Sequence, residues 1–167
     1  FGISKKDLNF LSSKVTEIIH CAAKTDFSIS RGLAEKVNVT GTKHVIDYAA
    51  QCKNISKVGV LSTVYVAGKR KGKVSEEELD GKAGFVNEYE ASKFRMEKFL
   101  HGRMKSLPIA IYRLSTIIGS SKTGRVSQFN AIHQALRLYF HGLIPMVPGD
   151  PRAQVDFICS EYAANSI

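Results

Sequence analysis

Short, β-branched apolar runs alternate with stretches of helical periodicity, and this alternation constrains the fold more than any other feature. VTEIIH at 15–20, KVGVLS at 57–62 and IAIYRL at 109–114 have the length and composition of buried parallel strands. Helical patterns lie between them, over 41–52 and 87–104. Strands that alternate with helices at this spacing form βαβ units. The sequence therefore predicts an α/β fold, a Rossmann-like doubly wound parallel sheet.

The same alternation continues to the end of the chain. A polar, charged loop occupies 69–84, a helix is predicted over 128–141, and a short strand at 155–159 leads into a helix that begins at Ser160. Ligands in parallel sheets bind at the carboxyl ends of the strands. The loops of interest therefore follow His20, Ser62 and Leu114.

Size and composition fit one soluble domain. The chain has 167 residues, 44% of them hydrophobic and 23% charged, which allows a real core. No apolar run approaches the ~18 residues of a membrane span, and the first ten residues lack the apolar segment of a signal peptide. Cys21, Cys52 and Cys159 have no metal-ligand spacing and are an odd number for disulfides. We expect a cytoplasmic protein with reduced thiols and no metal.

The chain is basic, with a net charge of +9 from 24 basic and 15 acidic residues. One dense cluster occurs, KRKGK at 69–73, and the other charges are spread along the chain. Neither a basic helix interleaved with aromatic residues nor a zinc-finger spacing is present, so a nucleic-acid partner is not expected. An anionic cofactor or a phosphate-bearing thioester explains the excess equally well.

Two tyrosines are followed by a lysine four residues later, and their contexts differ. Tyr65 and Lys69 enclose Gly68 at a strand exit, where such residues need not face each other. Tyr89 and Lys93 lie in a helical pattern and share one face. That face is otherwise apolar, and a buried, unpaired ammonium is costly. A snorkelling lysine beside a packing tyrosine is the structural alternative.

The functional interpretation of the second pair is acid catalysis. A free phenol has a pKa of ~10 and is a poor proton donor or base near neutral pH. A neighbouring ammonium favours the phenolate and should bring the pKa of Tyr89 towards the working range. In carbonyl reduction Tyr89 would protonate the oxygen as hydride reaches the carbon, while Lys93 tunes the phenol and holds a cofactor hydroxyl. Leu61-Ser62-Thr63, at the preceding strand exit, offers a third hydroxyl to polarise the carbonyl.

Six motifs occur in one order: HCAA at 20–23, NVTGT at 38–42, LSTVYVAG at 61–68, NEYEASKFRME at 87–97, YRLSTIIG at 112–119 and VDFICSEYAANSI at 155–167. In this order they strongly resemble the extended short-chain dehydrogenase/reductases. Within that family the chain is most similar to the thioester-reductase, fatty-acyl-CoA-reductase or "male sterility" branch. The resemblance covers nearly the whole chain.

The resemblance implies a catalytic role for three residues. Thr63 matches the family's catalytic hydroxyl and is favoured over Ser62, because that residue falls five positions before the glycine matched by Gly68. Tyr89 matches the catalytic tyrosine and Lys93 its partner lysine.

The resemblance also implies the cofactor contacts. The loop along the adenosine side matches His20, Cys21, Ala22 and Ala23. The strand end over the nicotinamide and diphosphate matches Arg113, Leu114 and Ser115. Ser62 and Lys93 complete the implied set, and Asn38 matches a structural asparagine. Two structural alternatives stay open: His20 as a strand cap, and Arg113 as the partner of a carboxylate.

The chain departs from the family pattern in three places. It contains no G-x-x-G-x-x-G turn, and its first strand matches the family's fourth. The usual valine-aspartate before the last helix is replaced by Ser160-Glu161, and the chain stops at Ile167. We therefore expect 1–167 to be one domain, the catalytic part of a reductase, without the upstream nucleotide-binding half and the downstream substrate subdomain. By itself it should bind dinucleotides poorly and be inactive.

The function implied by the resemblance is NAD(P)H-dependent reduction of an acyl thioester to an aldehyde or alcohol. The cofactor expected is NADP, with NAD possible. The acyl group would be a small molecule or carrier-bound, and the chain could be attached to a larger multidomain enzyme. Two alternatives share the fold: a sugar-nucleotide epimerase, dehydratase or hydroxysteroid-type dehydrogenase, and a non-catalytic binding module.

Overall fold

A three-stranded sheet organises the first two-thirds of the chain. Its strands are β1 (Glu17–His20), β2 (Lys57–Thr63) and β3 (Ile109–Leu114), in the order β1-β2-β3. β1 and β2 run parallel, with Glu17 opposite Lys57 and His20 opposite Val60. Both strands therefore end at the same edge of the sheet.

The computed structural model of the protein describes residues 2–144, 150 and 154–167. The chain divides into two compact units, Phe1–Arg113 and Leu114–Ile167. The sequence predicts one domain, whereas the contacts between residues divide the chain into these two units. The prediction that residues 1–167 are one domain of a longer reductase stays a prediction.

The helices of the first unit flank the sheet. They are α1 (Lys5–Lys14), α2 (Arg31–Ala34), α3 (Gly41–Ala49) and α4 (Glu88–Arg103). A π-helix, Glu35–Thr40, joins α2 to α3 without a break, and a 3₁₀ turn, Val64–Ala67, follows β2. The sequence pattern predicts α3 and α4 but gives no sign of α1, α2 or the π-helix.

The core of this unit lies between the sheet and two of these helices. Its buried members are Ile46, Ala49, Val58, Val60, Met96, Leu100, Leu107 and Ile109. Burial of each large aliphatic side chain contributes roughly 1.5–3 kcal/mol. β2 also carries Gly59, where a Cβ atom would come within 2.9 Å of the Ile19 side chain and 3.1 Å of the Tyr112 ring. A side chain at this position would force the Ile19 and Tyr112 side chains to shift.

The second unit contains a smaller pair of strands. β4 (Thr116–Ile117) pairs in parallel with β5 (Phe157–Ile158), and the helices are α5 (Ala131–Phe140) and α6 (Ser160–Asn165). Glu161, in the first turn of α6, accepts hydrogen bonds from the Ser120 hydroxyl and the Ser121 amide. These bonds lower the pKa of Glu161 to about 2. Its carboxylate thus ties α6 to the loop that follows β4.

The predicted α/β class with a parallel sheet is confirmed. Element ends differ slightly from those read in the sequence: the strand expected at 15–20 spans Glu17–His20, and the one expected at 155–159 spans Phe157–Ile158. Among the described residues, none of the helices combines the length and apolar character that crossing a bilayer requires. In the same ranges, no group of His, Cys, Asp and Glu side chains could hold a metal ion.

Candidate active site

The exit of β2 carries the first of the implied catalytic residues. Thr63 is the last residue of the strand and is 4% exposed. Its hydroxyl oxygen accepts a hydrogen bond from the Tyr65 amide at 3.2 Å and so caps the 3₁₀ turn. The phenol of Tyr89 lies near this hydroxyl, and its interaction with Thr63 lowers the pKa of the phenol. The structure therefore brings Thr63 and Tyr89 together.

Two side chains cap the first turn of α4. Asn87 is the N-cap, and its Oδ1 accepts a hydrogen bond from the Glu90 amide at 2.9 Å. The Glu90 carboxylate accepts one from the Val86 amide at 2.9 Å and one from Asn87 Nδ2 at 3.2 Å. These bonds satisfy backbone donors that would otherwise lack a partner. They also fix the turn on which Tyr89 stands.

Lys93 lies one turn further along the same face of α4. Its side chain is 4% exposed, and Nζ donates a hydrogen bond to the carbonyl oxygen of Leu61 at 2.8 Å. Burial lowers the pKa of Lys93 to about 8, although the charge of Glu97 and, less strongly, the neighbouring Cys21 oppose this shift. Tyr89 and Lys93 thus approach the end of β2 from one helix, Tyr89 at Thr63 and Lys93 at Leu61.

The electrostatics of Tyr89 correct one expectation from the sequence, that the Lys93 ammonium lowers the pKa of this phenol. In the structure burial raises the pKa of Tyr89 and outweighs the hydrogen bond from Thr63, which lowers it, while Tyr65 and Glu90 raise it further. The phenol is therefore protonated at neutral pH, the state in which it can donate a proton.

The carboxyl end of β1 is held by a buried polar chain. His20 is 9% exposed, and its Nε2 lies 3.0 Å from the hydroxyl oxygen of Thr42. That hydroxyl donates its single proton to the Asn38 carbonyl at 2.7 Å, so the His20 Nε2–H is the donor in the first bond. Burial and the Lys93 charge lower the pKa of His20. The ring is therefore neutral and anchored to the end of its strand, in agreement with the strand-cap alternative.

Asn38 ties the loop after β1 to α4. Its Oδ1 accepts from the Lys24 amide at 2.8 Å, and its Nδ2 donates to the Lys24 carbonyl and to the Ser92 hydroxyl, both at 3.0 Å. The π-helix presents this side chain, and such local bulges often occur at functional sites. The 20–23 loop keeps an open surface, because Cys21 and Ala22 are exposed and Ala23 is half-buried.

Arg113 and Ser62 share a carboxylate that the sequence pattern did not single out. Arg113 donates to Glu97 at 2.8 Å from Nη2 and at 3.1 Å from Nε, and Ser62 donates to Glu97 at 2.5 Å. Glu97 falls one turn after Lys93, and that spacing was the available signal. Leu114 and Ser115 belong to the second unit, where the Ser115 hydroxyl donates to the Asp156 carbonyl at 2.6 Å.

An exposed aromatic side chain lies beside the phenol and was also missed. Phe27 is 50% exposed, and its ring centroid is 5.7 Å from that of Tyr89 and 6.2 Å from that of Tyr65. Its neighbours in the sequence are polar, so hydrophobic periodicity gave no sign of it. The result is an apolar wall next to the proposed proton donor.

A family model and several known proteins match the chain. The NAD-binding model described as "Male sterility protein" matches residues 1–167. A putative fatty acyl-CoA reductase of Drosophila melanogaster is 26% identical over 198 residues, covering 99% of this chain and 36% of the fly protein. A linear gramicidin synthase polypeptide of Brevibacillus parabrevis is 27% identical over 173 residues, covering 99% of this chain and 3% of that protein.

Solved structures show the same architecture. The terminal R domain from the myxalamid PKS-NRPS biosynthetic pathway matches with a TM-score of 0.84 at 26% identity, over 99% of this chain and 42% of that one. A UDP-N-acetylglucosamine 4-epimerase from Methanobrevibacter ruminantium M1 matches with a TM-score of 0.73 at 21% identity, over 96% of this chain and 52% of the epimerase. The chain thus spans less than half of the fly reductase and of the R domain. The Rossmann-like fold is confirmed.

Proposed function

The chain belongs to the "male sterility protein" family of NAD-binding domains, and from that premise we propose that it is the catalytic part of an NAD(P)H-dependent reductase of acyl thioesters. The membership confirms the resemblance recognised in the sequence motifs. The fly relative is named a putative fatty acyl-CoA reductase, and two further similar chains come from a linear gramicidin synthase and from a PKS-NRPS pathway. Both kinds of relative favour a thioester substrate over a nucleotide sugar.

One observation carries the proposal: Thr63, Tyr89 and Lys93 converge on the end of β2. Tyr89 lies near Thr63, and Lys93 donates a hydrogen bond to the carbonyl of Leu61, two residues before Thr63. All three proposed catalytic side chains are less than a tenth exposed. A positioned acid, a polarising hydroxyl and a fixed ammonium are the groups that carbonyl reduction requires.

The residues present fit a nicotinamide cofactor, which supplies the hydride when bound. An ammonium has three protons. On Lys93 one is directed at the Leu61 carbonyl and one at the Met96 sulfur, so the third can bind a cofactor hydroxyl. The exposed Cys21 and Ala22 leave the backbone after β1 accessible to the adenosine side. Arg113 is already bound to Glu97 and to the Glu78 carbonyl, so its contacts favour the structural alternative over a diphosphate ligand.

The protein's own part in the reaction is proton transfer and orientation. The protonated Tyr89 gives its proton to the thioester oxygen as hydride reaches the carbon, and Thr63 holds that oxygen. The C–S bond then breaks, the hydroxyl proton passes to the departing sulfur, and an aldehyde and a thiol are released. Phe27 offers its ring to the acyl group beside this centre.

The decisive assay measures NADPH oxidation by the complete polypeptide that carries this sequence, with acyl-CoA and with a carrier-linked acyl thioester. We expect consumption of NADPH with release of the thiol, and a comparison with NADH assigns the cofactor. Absence of turnover on both thioesters, together with interconversion of UDP-sugars in the presence of NAD, would establish the epimerase alternative instead. The cytoplasmic location stays a prediction.

A further inference from the structure

A fully buried carboxylate lies one helical turn after Lys93 and has no part in the chemistry described so far. Glu97 has an exposed fraction of 0%. A charge in such a place must be paired, and Glu97 is paired twice, by Arg113 from β3 at 2.8 Å and by Ser62 from β2 at 2.5 Å. The carboxylate therefore joins α4 to two strands of the sheet.

The bond to Ser62 reaches the middle of the proposed site. Ser62 is flanked by Leu61, whose carbonyl accepts a hydrogen bond from Lys93, and by Thr63, whose hydroxyl lies near the Tyr89 phenol. Ser62 itself is 6% exposed, and its hydroxyl is directed at the Glu97 carboxylate. A shift of this one residue would move both attachment points together.

We propose that Glu97 is a positioning residue for the reductase: through Ser62 it fixes the strand end that carries Thr63, and through its charge it stabilises the ammonium of Lys93 on the Leu61 carbonyl. Arg113 holds the carboxylate in place with two donors. The inference rests on the proposed function only where it concerns turnover, because the Glu97 charge raises the pKa of Lys93 whether or not the protein reduces thioesters.

Burial and the Glu97 charge shift the pKa of Lys93 in opposite directions. Burial lowers the pKa of Lys93, and the Glu97 charge raises it. The other titratable groups that act on Lys93 are His20, at the end of β1, and Cys21, which follows it. Neutralising Glu97 removes the main support for the charge, so Lys93 loses its proton at lower pH. Any activity that needs the ammonium is then lost at lower pH as well.

The first test is Glu97→Gln in the complete polypeptide, with the Lys93 side chain titrated by NMR in lysine-labelled protein. The Lys93 resonance is assigned by its absence from Lys93→Arg. We expect the pKa of Lys93 to fall by about 1 unit, the size of shift that a nearby opposite charge produces. Leu100→Val is the matched control, because Leu100 is fully buried on the same helix but belongs to the apolar core; it should lower stability and leave the titration unchanged.

The second test is Ser62→Ala, which keeps the ion pair and removes only its bond to β2. Misplacement of catalytic groups by ~1 Å can cost up to ~100-fold, so we expect a kcat lower by about 10-fold, with little change in the KM for NADPH. An unchanged titration in Glu97→Gln, or an unchanged kcat in Ser62→Ala, overturns the proposal. If Glu97→Gln does not fold, the kcat of Ser62→Ala decides alone. If the unaltered polypeptide reduces no thioester, the proposed function fails and the titration decides whether Glu97 acts on Lys93.

Discussion

The ammonium of Lys93 lies where a charge is costly. Its pKa is about 8 in the folded protein, against 10.5 for an exposed lysine. The unfolded chain therefore binds this proton more strongly, and the folded state is destabilised as long as Lys93 is charged. The penalty is complete below pH 8 and disappears as the pH rises from 8 to 10.5. A buried ammonium that lowers stability in this way points to a role in function.

The first prediction concerns this penalty. Lys93→Met should raise the free energy of unfolding at pH 7 by up to roughly 3 kcal/mol, since 2.5 pKa units at 1.36 kcal/mol each set the limit. The gain should shrink towards zero by pH 10.5. Urea unfolding across this range measures it, with Lys98→Met, on the exposed side of α4, as the control. Equal pH dependence of Lys93→Met and the unaltered protein would contradict the burial of the charge.

The second prediction concerns Tyr89, the proposed proton donor. Tyr89→Phe keeps the ring contact with Phe27 and removes the hydroxyl that lies near Thr63. A positioned acid contributes about 100-fold or more, so kcat with NADPH and an acyl thioester should fall by at least that factor. Tyr65→Phe is a suitable control, because it changes a neighbouring, 36% exposed tyrosine. Full turnover in Tyr89→Phe would remove this residue from the mechanism.

Helical spacing in the sequence identified Tyr89 and Lys93, which lie on one helix. It did not identify the role of Glu97, whose partners are distant in the chain. The spacing of Tyr89 and Lys93 indicates one face of a helix, whatever packs against it. Glu97 has the same spacing from Lys93, but its meaning depends on Arg113 and Ser62, 16 and 35 residues away. The rise in the pKa of Tyr89 was missed for a similar reason, because periodicity does not measure burial.

At the scale of elements, the start of α4 is the most exacting piece of local structure. Its N-cap, Asn87, is paired with Glu90, and Tyr89 stands between them in the first turn. The N-x-x-E spacing of Asn87 and Glu90 predicts a helix N-terminus at this place in the sequence. By contrast, α1 buries none of its residues, and the π-helix carries the β-branched residues Val37, Val39 and Thr40, so neither gave a clear amphipathic pattern.

The third prediction compares two caps. Asn87→Ala and Ser4→Ala each remove an N-cap side chain, from α4 and from α1, where Ser4 accepts from the Asp7 amide at 3.1 Å. Each should cost ~1 kcal/mol of stability. Only Asn87→Ala should also lower kcat, because only α4 carries Tyr89. Thermal unfolding and NADPH turnover measure the two effects; equal kcat values would separate the cap from the site.

The fourth prediction concerns the π-helix. Asn38→Ala would remove the hydrogen bonds to the amide and carbonyl of Lys24 and to the hydroxyl of Ser92, which keeps its bond to the Tyr89 carbonyl. A hydrogen bond contributes ~0.5–1.5 kcal/mol, so we expect clear destabilisation and a higher KM for NADPH as the 20–23 loop loosens. Val39→Ala, a neighbouring core deletion at a 3% exposed position, controls for stability. A KM raised equally in both variants would count against a specific hold on the loop.

On the scale of the whole molecule, the unit Leu114–Ile167 exposes much apolar surface. On α5 the exposed fraction is 47% for Leu136 and 81% for Phe140, which lie one turn apart. Further exposed members are Phe129, Leu138, Tyr139, Leu143, Val155, Phe157 and Tyr162. A surface of this kind favours association.

The fifth prediction follows from this surface. A polypeptide of residues 1–167 should self-associate, and Leu136→Lys with Phe140→Lys should reduce its weight-average mass in sedimentation. Asn9→Lys with Gln51→Lys adds the same charge at exposed polar positions and should have a smaller effect. If Leu136→Lys with Phe140→Lys lowers the mass no more than the control pair does, the association does not involve this face of α5.

The buried pair of Glu97 and Arg113 also restricts how this protein can evolve. Removing one partner of a buried ion pair costs ~3–5 kcal/mol, while replacing both by apolar residues is often neutral. Natural proteins have only ~5–15 kcal/mol of stability to lose, so lineages that change one position alone should rarely survive. Among homologous proteins, we expect positions 97 and 113 to be substituted together. Where Glu97 is replaced, Ser62 should no longer be retained. Independent variation at these sites in homologous sequences would contradict this coupling.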